Sequence, residues 1–398
     1  MAYQMSGRCK EAILVSIVAF IGLAALLANA DRWTYSDPHF AMILDHHKYI
    51  YMARNNPFDF HIAPFCWRVL NPLLAKTLPF EIATAFAVVT FAALWLTAVV
   101  LYFMSRRMGF SSILALIGLL FFLTLGWATR FNLNDFWLSD PLGFLFSTAA
   151  LWSIVARKDI PFAVLLAIGV MAKESVIFLA PLYYTLNTRK LIDPKLLYRS
   201  LVVVSPAIII LILLRVAITP LNGNAQYLAT LGQNLQDANP YPYNVALLFQ
   251  SMGWPRIQQL SIERIYTYTI GTFGVSMSFL ALLSVKDNLL FLVRVLPFVL
   301  LTYSSLLFAT DTSRLIVGAF PAIIPMALYG IGTIIDFTGI DERVFVSLPL
   351  IIFVLLFISK DLYLISGKVE LLVALAYLAL ILLSKQRANP MIDTGERK

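Results

Sequence analysis

Asp45, His46 and His47 follow one another shortly after the first apolar segment of the chain. On a helix, Asp45 and Tyr49 lie on the same face, because residues four apart stand one above the other. A carboxylate on that face can act as a general base for a hydroxyl group. An ion pair between Asp45 and Lys48, three residues further on, is the simpler interpretation.

The two adjacent histidines are poorly placed to share a metal ion. Neighbouring residues point about 100° apart on a helix, so His46 and His47 cannot easily ligate one metal together. If the chain binds a metal, we expect Asp45 or Glu174 to hold it. Hard carboxylate oxygens suit Mg²⁺ or Mn²⁺, and no other cofactor is indicated.

Two arginines are the best candidates for binding a phosphate group. The guanidinium groups of Arg68 and Arg314 can bind phosphate oxygens in pairs. Arg314 belongs to the stretch TDTSRL, where an ion pair with Asp311, three residues earlier, is the simpler interpretation.

Further charged residues flank the apolar segments. Asp140 precedes Pro141 in NLNDFWLSDPLGF, which is typical of a helix N-cap. Asp135 in the same stretch has no such role and can face a cavity. Lys173 and Glu174 lie between two short apolar segments, where they either neutralise each other or take part in a site.

The composition is that of an integral membrane protein. The 398 residues are 60% hydrophobic and 13% charged, with a mean hydropathy of +0.80, whereas soluble domains are about 25% charged. The net charge of +8 comes from short Lys and Arg clusters between apolar runs. This distribution indicates membrane topology and excludes a nucleic-acid-binding surface.

The apolar runs predict an all-α fold, a polytopic transmembrane helix bundle in a single domain over residues 1–398. Because a span needs about 20 residues, we expect about 11 to 12 spans. The runs lie near 11–30, 81–104, 111–128, 139–156, 160–172, 175–187, 198–218, 265–285, 289–309, 315–335, 344–359 and 368–384.

The basic clusters orient this bundle. With Arg8 and Lys10 inside, the later clusters also fall on the cytoplasmic side. The runs 160–172 and 175–187 are each only roughly 20 Å long as helices. We therefore predict that they form a hairpin whose tip, Lys173 and Glu174, ends in a cavity below the outer surface.

Two long segments fall outside in this topology, residues 31–80 and 219–264. Both are aromatic and aliphatic enough to lie on the membrane surface as amphipathic helices. All four histidines belong to the outer side, so a reaction or binding site is expected to face out. Motifs for nucleotide hydrolysis, dinucleotide binding and the common protease classes are absent from the sequence.

The stretches LDHHKYIYMA, NDFWLSDP, AKES and TDTSRL together resemble the glycosyltransferase C superfamily. The resemblance implies inverting transfer of a hexose or pentose from a polyprenyl-phosphate carrier to a glycan, lipid or protein acceptor. It also implies a bacterial inner (plasma) membrane, with the active face outside, and a role in building the cell envelope. Asp45 would be the catalytic base. Around the donor phosphate the resemblance implies five further residues: Arg68, Asp135, Lys173, Glu174 and Arg314.

The alternative is a transporter or a flippase for a lipid-linked sugar, with an outward cavity. Such proteins carry ionisable residues near the membrane midplane on broken helices, and the hairpin at Lys173 offers one such place. The other predicted spans are almost free of charge, which favours the enzyme.

Overall fold

A computed structural model describes residues 2–33, 45–190, 192–220, 249–308, 312–359 and 367–388. Across these ranges the chain forms helices joined by turns and short connections, and none of the described residues belongs to a β-strand. The prediction of an all-α fold is confirmed.

The α-helices of the described ranges are numbered in chain order. They are α1 (Ala2–Ala28), α2 (Asp45–Arg54), α3 (Leu70–Thr77), α4 (Ile82–Arg107), α5 (Ser112–Thr124), α6 (Arg130–Asn134), α7 (Asp140–Val155), α8 (Asp159–Ala172), α9 (Ala180–Asn187), α10 (Pro194–Ala217), α11 (Trp254–Gln259), α12 (Ile262–Leu283), α13 (Val285–Ser304), α14 (Thr312–Ile316), α15 (Phe320–Thr338), α16 (Ser347–Ser359) and α17 (Gly367–Ala388).

Side-chain caps set the starts of several long helices. Glu81 accepts from the backbone N–H groups at the start of α4, and Ser111 does the same for α5. Asp193 caps α10 and Ser261 caps α12. Because the first N–H groups of a helix have no partner within it, these oxygens supply the acceptors that those groups lack.

The apolar helices make the chain an integral multi-pass membrane protein. Within the described ranges, six helical segments are long and apolar enough to cross a bilayer, and four apolar helices are shorter. Every run predicted from the sequence coincides with helix in the structure. The number of crossings, 11 to 12, stays a prediction because the shorter helices do not reach the usual span length by themselves.

Helices α8 and α9 form the predicted hairpin. The rings of Phe162 in α8 and Tyr183 in α9 stack with their centroids 5.3 Å apart. The Tyr183 hydroxyl donates to Asp159 Oδ1 over 2.8 Å, so the chain returns to the level at which α8 began. Lys173 is extended at the tip, and a 3₁₀ turn over Glu174–Leu179 leads into α9.

The charged residues segregate to opposite ends of the bundle. Asp140 begins α7 and Lys173 follows α8, so both lie at one end, since these two helices are antiparallel neighbours. At the other end, Arg106 donates to Glu11 over 3.1 Å. The candidate site residues are thus separated from the end of the bundle that holds Arg106 and Glu11.

Of the predicted external segment 31–80, the described residues 45–80 dock on the site end of the bundle. They contain α2, α3 and a 3₁₀ turn over Phe65–Trp67. Tyr49 and Phe65 meet edge to face at 5.8 Å, and Phe86 of α4 packs against Trp137 at 5.4 Å in the same apolar cluster. In the second segment, α11 is described, whereas residues 221–248 lie outside the described ranges.

Candidate active site

Helix α2 carries the proposed base to the end of the bundle. Its sequence DHHKYIYMAR begins with an acid and ends with a base, as the helix dipole favours. His46, Tyr49 and Ile50 are buried, whereas the Asp45 side chain keeps 26% of its surface exposed. The buried face fixes the helix, and Asp45 stays accessible at its start.

Arg314 joins Asp45 to Asp140. Its Nη1 donates to Asp45 Oδ2 over 3.1 Å, and its Nη2 donates to Asp140 Oδ2 over 2.9 Å. Lys173 donates to the other oxygen of Asp140, which is fully buried. We call Asp45, Arg314, Asp140 and Lys173 the first ion-pair group.

The position of Lys173 depends on Gly143, one turn along α7 from Asp140. A Cβ atom on Gly143 would lie 3.2 Å from Lys173 Cβ and 3.3 Å from its Cδ, which is tighter than ordinary van der Waals contact. Glycine therefore lets the lysine stem lie directly against α7, where its amino group reaches Asp140.

Arg68 and Glu174 form the second ion-pair group together with Tyr49. Arg68 donates from Nε to Glu174 Oε2 over 2.8 Å and from Nη2 to Glu174 Oε1 over 2.5 Å. Its Nη1 donates to the Tyr49 hydroxyl over 3.3 Å, and that hydroxyl lies 3.0 Å from Ser139 Oγ. Since Ser139 immediately precedes Asp140, the two groups adjoin.

Asp135 lies beside His46. The distance from His46 Nδ1 to Asp135 Oδ1 is 3.8 Å, and both side chains are buried. The contact joins α2 to the connection between α6 and α7. The six site residues chosen from the sequence thus lie around one end of the bundle, although their catalytic and binding roles stay predictions.

Several predicted pairings differ from the observed ones. Asp140 does not cap α7, because Ser139 occupies that position and both Asp140 oxygens are bound by cations. Lys173 and Glu174 do not neutralise each other, since they take Asp140 and Arg68 as partners. The contact between Lys48 and Asp45 is present at 3.6 Å.

The expected partner of Arg314 cannot be compared with the structure, and the role of Asp140 differs from the predicted one. Asp311, the expected partner of Arg314, lies outside the described residues. Asp140, which the sequence assigned a capping role, is the carboxylate that holds Lys173 and Arg314. The adjacent Pro141 is a strong local signal for a helix cap. No local pattern indicates that Lys173 and Arg314, both distant in the sequence, bind Asp140.

The cations determine the charge state of the accessible carboxylate. Burial raises the pKa of Asp45, but Arg314, Lys48 and Arg68 outweigh it and hold that pKa below its ordinary value. Burial lowers the pKa of Lys48. Although burial also lowers the pKa of Arg68, Glu174 and Tyr49 raise it well above its ordinary value. Asp45 is therefore ionised at neutral pH and able to accept a proton.

His46 makes stability depend on pH. Burial, together with the neighbouring His47, lowers the pKa of His46 from 6.5 to about 3. The folded protein keeps this ring neutral, whereas the unfolded chain takes up a proton below pH 6.5. The contribution of the neutral His46 ring to the free energy of unfolding is therefore complete above pH 6.5, and it is lost as the pH falls towards about 3. Between pH 7 and pH 5 we expect a loss of about 2 kcal/mol.

Thermal unfolding of the purified protein at pH 7 and pH 5 measures this loss. The substitution His46→Gln should remove most of the pH dependence, because the amide does not titrate. The substitution His47→Gln is the matched control and should keep most of it, since His47 is less buried than its neighbour. An unchanged pH dependence in His46→Gln would contradict the assignment.

The predicted metal ligands do not fit a divalent ion in this geometry. Glu174 has both oxygens on Arg68, and Asp45 is shared between Arg314 and Lys48. Among the described residues, no three His, Cys, Asp or Glu side chains group closely enough to hold a metal. Cations already surround these carboxylates. Mg²⁺ or Mn²⁺ at Asp45 or Glu174 stays a prediction from the sequence.

No family model matches the chain, and no curated protein matches it. Among solved structures, it is similar to the Archaeoglobus fulgidus oligosaccharyltransferase, crystallised with a tethered acceptor peptide containing the NVT sequon. The similarity covers 94% of this chain and 55% of that protein, with a TM-score of 0.47 and 12% sequence identity. The chain thus spans about half the length of that enzyme.

Proposed function

We propose that the protein is a membrane glycosyltransferase. It moves a sugar from a polyprenyl-phosphate carrier to an acceptor hydroxyl on the outer face of the membrane, by a single inverting displacement. The observation that carries the proposal is an accessible carboxylate among cations. Arg314 binds Asp45, and three other cations lie near this pair: Lys48, Arg68 and Lys173. A base and a phosphate-binding surface are what this reaction requires.

Asp45 is the proposed general base. It takes the proton of the acceptor hydroxyl as the acceptor oxygen forms its bond to the anomeric carbon. The bond from that carbon to the phosphate oxygen breaks at the same time, and its electron pair leaves with the polyprenyl phosphate. Support comes from the exposure of Asp45 and from its lowered pKa, which keeps it ionised before the acceptor arrives.

Arg314 and Arg68 are the proposed phosphate ligands, assisted by Lys173. In the described geometry, Arg314 is occupied by Asp45. An arriving phosphate competes for the same guanidinium hydrogens, since both partners are anionic oxygen acceptors. Binding of the donor would therefore release Asp45 from Arg314, so that the base becomes free only when the donor is present.

The remaining residues have positioning roles in this proposal. Asp140 keeps Arg314 and Lys173 aimed at the site, and Glu174 does the same for Arg68. Asp135 lies 3.8 Å from the His46 ring of α2. Asp140 and Glu174 contact the cations directly and thereby fix the directions in which those cations point.

The proposed partners follow from the same chemistry. They are a lipid-linked sugar donor, the surrounding membrane lipids and a glycan, lipid or protein acceptor. We assign the protein to a bacterial inner membrane with its active face outside, because the basic clusters lie at the opposite end of the bundle from the site.

Transfer by the purified protein in lipid vesicles tests the proposal. A polyprenyl-phosphate hexose or pentose with a radiolabelled sugar is supplied, and the label is followed into a product that is neither the lipid-linked donor nor the free sugar. Transfer supports the enzyme. Movement of the intact lipid-linked sugar between leaflets, with no transfer, would replace it with the flippase alternative.

A further inference from the structure

Tyr49 is a neutral residue at which three parts of the site meet. It lies on α2, one turn after Asp45, and it is fully buried. Its hydroxyl accepts from Arg68 Nη1 over 3.3 Å and lies 3.0 Å from Ser139 Oγ. One oxygen atom thus joins the helix of the proposed base to a proposed phosphate ligand and to the residue before Asp140.

The chemistry of these groups sets the direction of both hydrogen bonds. A guanidinium group has hydrogens to donate and no acceptor, so the Tyr49 oxygen accepts from Arg68. Its own hydrogen is then directed to Ser139 Oγ, because a buried donor without an acceptor is costly. Burial raises the pKa of Tyr49 above its ordinary value, although Arg68 opposes it. The hydroxyl therefore keeps its hydrogen at neutral pH.

Ser139 is a fixed acceptor, because Asn71 holds the backbone before it. Asn71 is fully buried, and its Nδ2 donates to the Trp137 carbonyl over 2.9 Å and to the Leu138 carbonyl over 3.0 Å. It follows Arg68 by only three residues. The backbone near Arg68 is therefore tied to the backbone before Ser139, and the hydroxyl from α2 bridges their side chains.

The nitrogen that Tyr49 binds is also the one that is best placed to meet a phosphate. Glu174 accepts from Nε and Nη2 of Arg68 with its two oxygens. Among the described residues, Nη1 is the nitrogen of Arg68 that no carboxylate binds. It carries two hydrogens, and Tyr49 accepts one of them. Without the hydroxyl, Arg68 would be held along the Glu174 edge alone.

We propose that Tyr49 is a positioning residue for the donor phosphate. Its hydroxyl fixes Arg68 relative to Ser139 and Asp140, so that Arg68 and Arg314 present their hydrogens to one phosphate group at a constant separation. This inference rests on the proposed function. The ring has a separate, structural role in the apolar cluster around α2, which phenylalanine can serve equally well.

Tyr49→Phe tests the proposal, since it keeps the ring and removes the hydroxyl. We expect KM for a polyprenyl-phosphate sugar to rise roughly tenfold, or about 1.4 kcal/mol, which is the usual worth of one hydrogen bond. The kcat should change little, because the proposed base, Asp45, is untouched. A purely structural role would lower the Tm and leave KM unchanged.

Tyr183→Phe is the matched control. Tyr183 is also buried, and its hydroxyl donates to a carboxylate, Asp159, that is paired with Arg199 at the opposite end of the bundle. This variant should lose as much Tm as Tyr49→Phe and keep the wild-type KM.

Ser139→Ala removes the other side of the same hydrogen bond, and its side chain caps no helix. It should also raise KM, and the double variant with Tyr49→Phe should match the more affected single variant, because both changes break one connection. Ser139→Ala decides the matter if Tyr49→Phe does not fold.

Binding of polyprenyl phosphate without a sugar gives a measurement that needs no transfer. Its Kd in detergent should be roughly tenfold higher in Tyr49→Phe than in the wild type or Tyr183→Phe. Absence of transfer by the wild type would contradict the proposed function, and this Kd would then decide the role of Tyr49. Equal Kd and KM in Tyr49→Phe and Tyr183→Phe, or fully additive effects of Tyr49→Phe and Ser139→Ala, would overturn the positioning role even in an active transferase.

Discussion

Replacing Asp45 with asparagine is expected to lower the rate of sugar transfer by roughly 10² to 10⁴-fold, the usual contribution of a general base. The amide keeps the size of the carboxylate and can still accept a hydrogen bond from Arg314. It cannot take the acceptor proton at neutral pH. Expression and thermal stability should change little, because Asp45 is the accessible member of the first ion-pair group.

The same substitution should leave donor binding intact or tighten it. Asp45 competes with the donor phosphate for Arg314 in the described geometry, and the neutral amide competes less well. We therefore expect kcat to fall while KM for the lipid-linked donor stays equal or falls. Steady-state kinetics with a polyprenyl-phosphate sugar measure both quantities.

Asp159→Asn provides a closely matched control for Asp45→Asn. Asp159 is 25% exposed and is paired with an arginine, Arg199, whose Nε donates to it over 2.6 Å, but it lies at the opposite end of the bundle. Its variant should retain activity. Full activity in Asp45→Asn, together with a large loss in His46→Gln, would move the catalytic role from the carboxylate to the histidine.

The largest effect on stability is expected for Asp140→Asn. Asp140 is fully buried and holds Lys173 and Arg314 with its two oxygens. Removing its charge leaves a buried lysine without its counter-ion, and breaking a buried pair in this way costs about 3 to 5 kcal/mol. Thermal or denaturant unfolding in detergent should show the loss directly.

A double variant separates charge from packing at this position. In Asp140→Asn with Lys173→Met, the unpaired ammonium is gone and its stem is replaced by an apolar one of similar length. We expect the double variant to be more stable than Asp140→Asn alone by about 1 to 2 kcal/mol.

Glu174→Gln is the comparison for the buried pair at Asp140. Glu174 is 29% exposed, so water partly compensates for its loss, and the cost should be clearly smaller than for Asp140→Asn. Equal losses in these two variants, or no gain on adding Lys173→Met, would show that the first ion-pair group does not depend on the charge of Asp140.

The periodicity and composition of the sequence were sufficient to predict the helical fold. Apolar run length is a local property, and every predicted run is helical in the structure. The hairpin of α8 and α9 was also predictable, because two runs too short to cross had to return to the side from which they began.

The pairing within the candidate site was not predictable from one sequence. Arg314 reaches Asp45 across 269 residues of chain, and Glu174 is bound by Arg68 from 106 residues away. The sequence instead suggested the near neighbours, such as Lys173 with Glu174. Local spacing identifies which charges are available, but tertiary packing decides which of them meet.

A break in α12 at Gly274, where φ is 77° and ψ is 168°, was missed for a related reason. A single glycine inside an apolar run is common in membrane helices, and nothing around Gly274 in the chain indicates an interruption. The signal lies in Glu370, an acid near the start of an apolar helix, which accepts a hydrogen bond from the backbone N–H of Ser276 where α17 packs against α12.

Lys173, the extended residue at the tip of the α8 and α9 hairpin, also limits which insertions and deletions the hairpin tolerates. Lys173 and Glu174 are consecutive, yet they serve different ion-pair groups. Deleting the codon between α8 and the 3₁₀ turn would remove Lys173 itself, and inserting one there would move Lys173 or Glu174 away from its partner. Among homologues, we therefore expect this tip to keep a constant length, while insertions accumulate in the loops at the opposite end of the bundle.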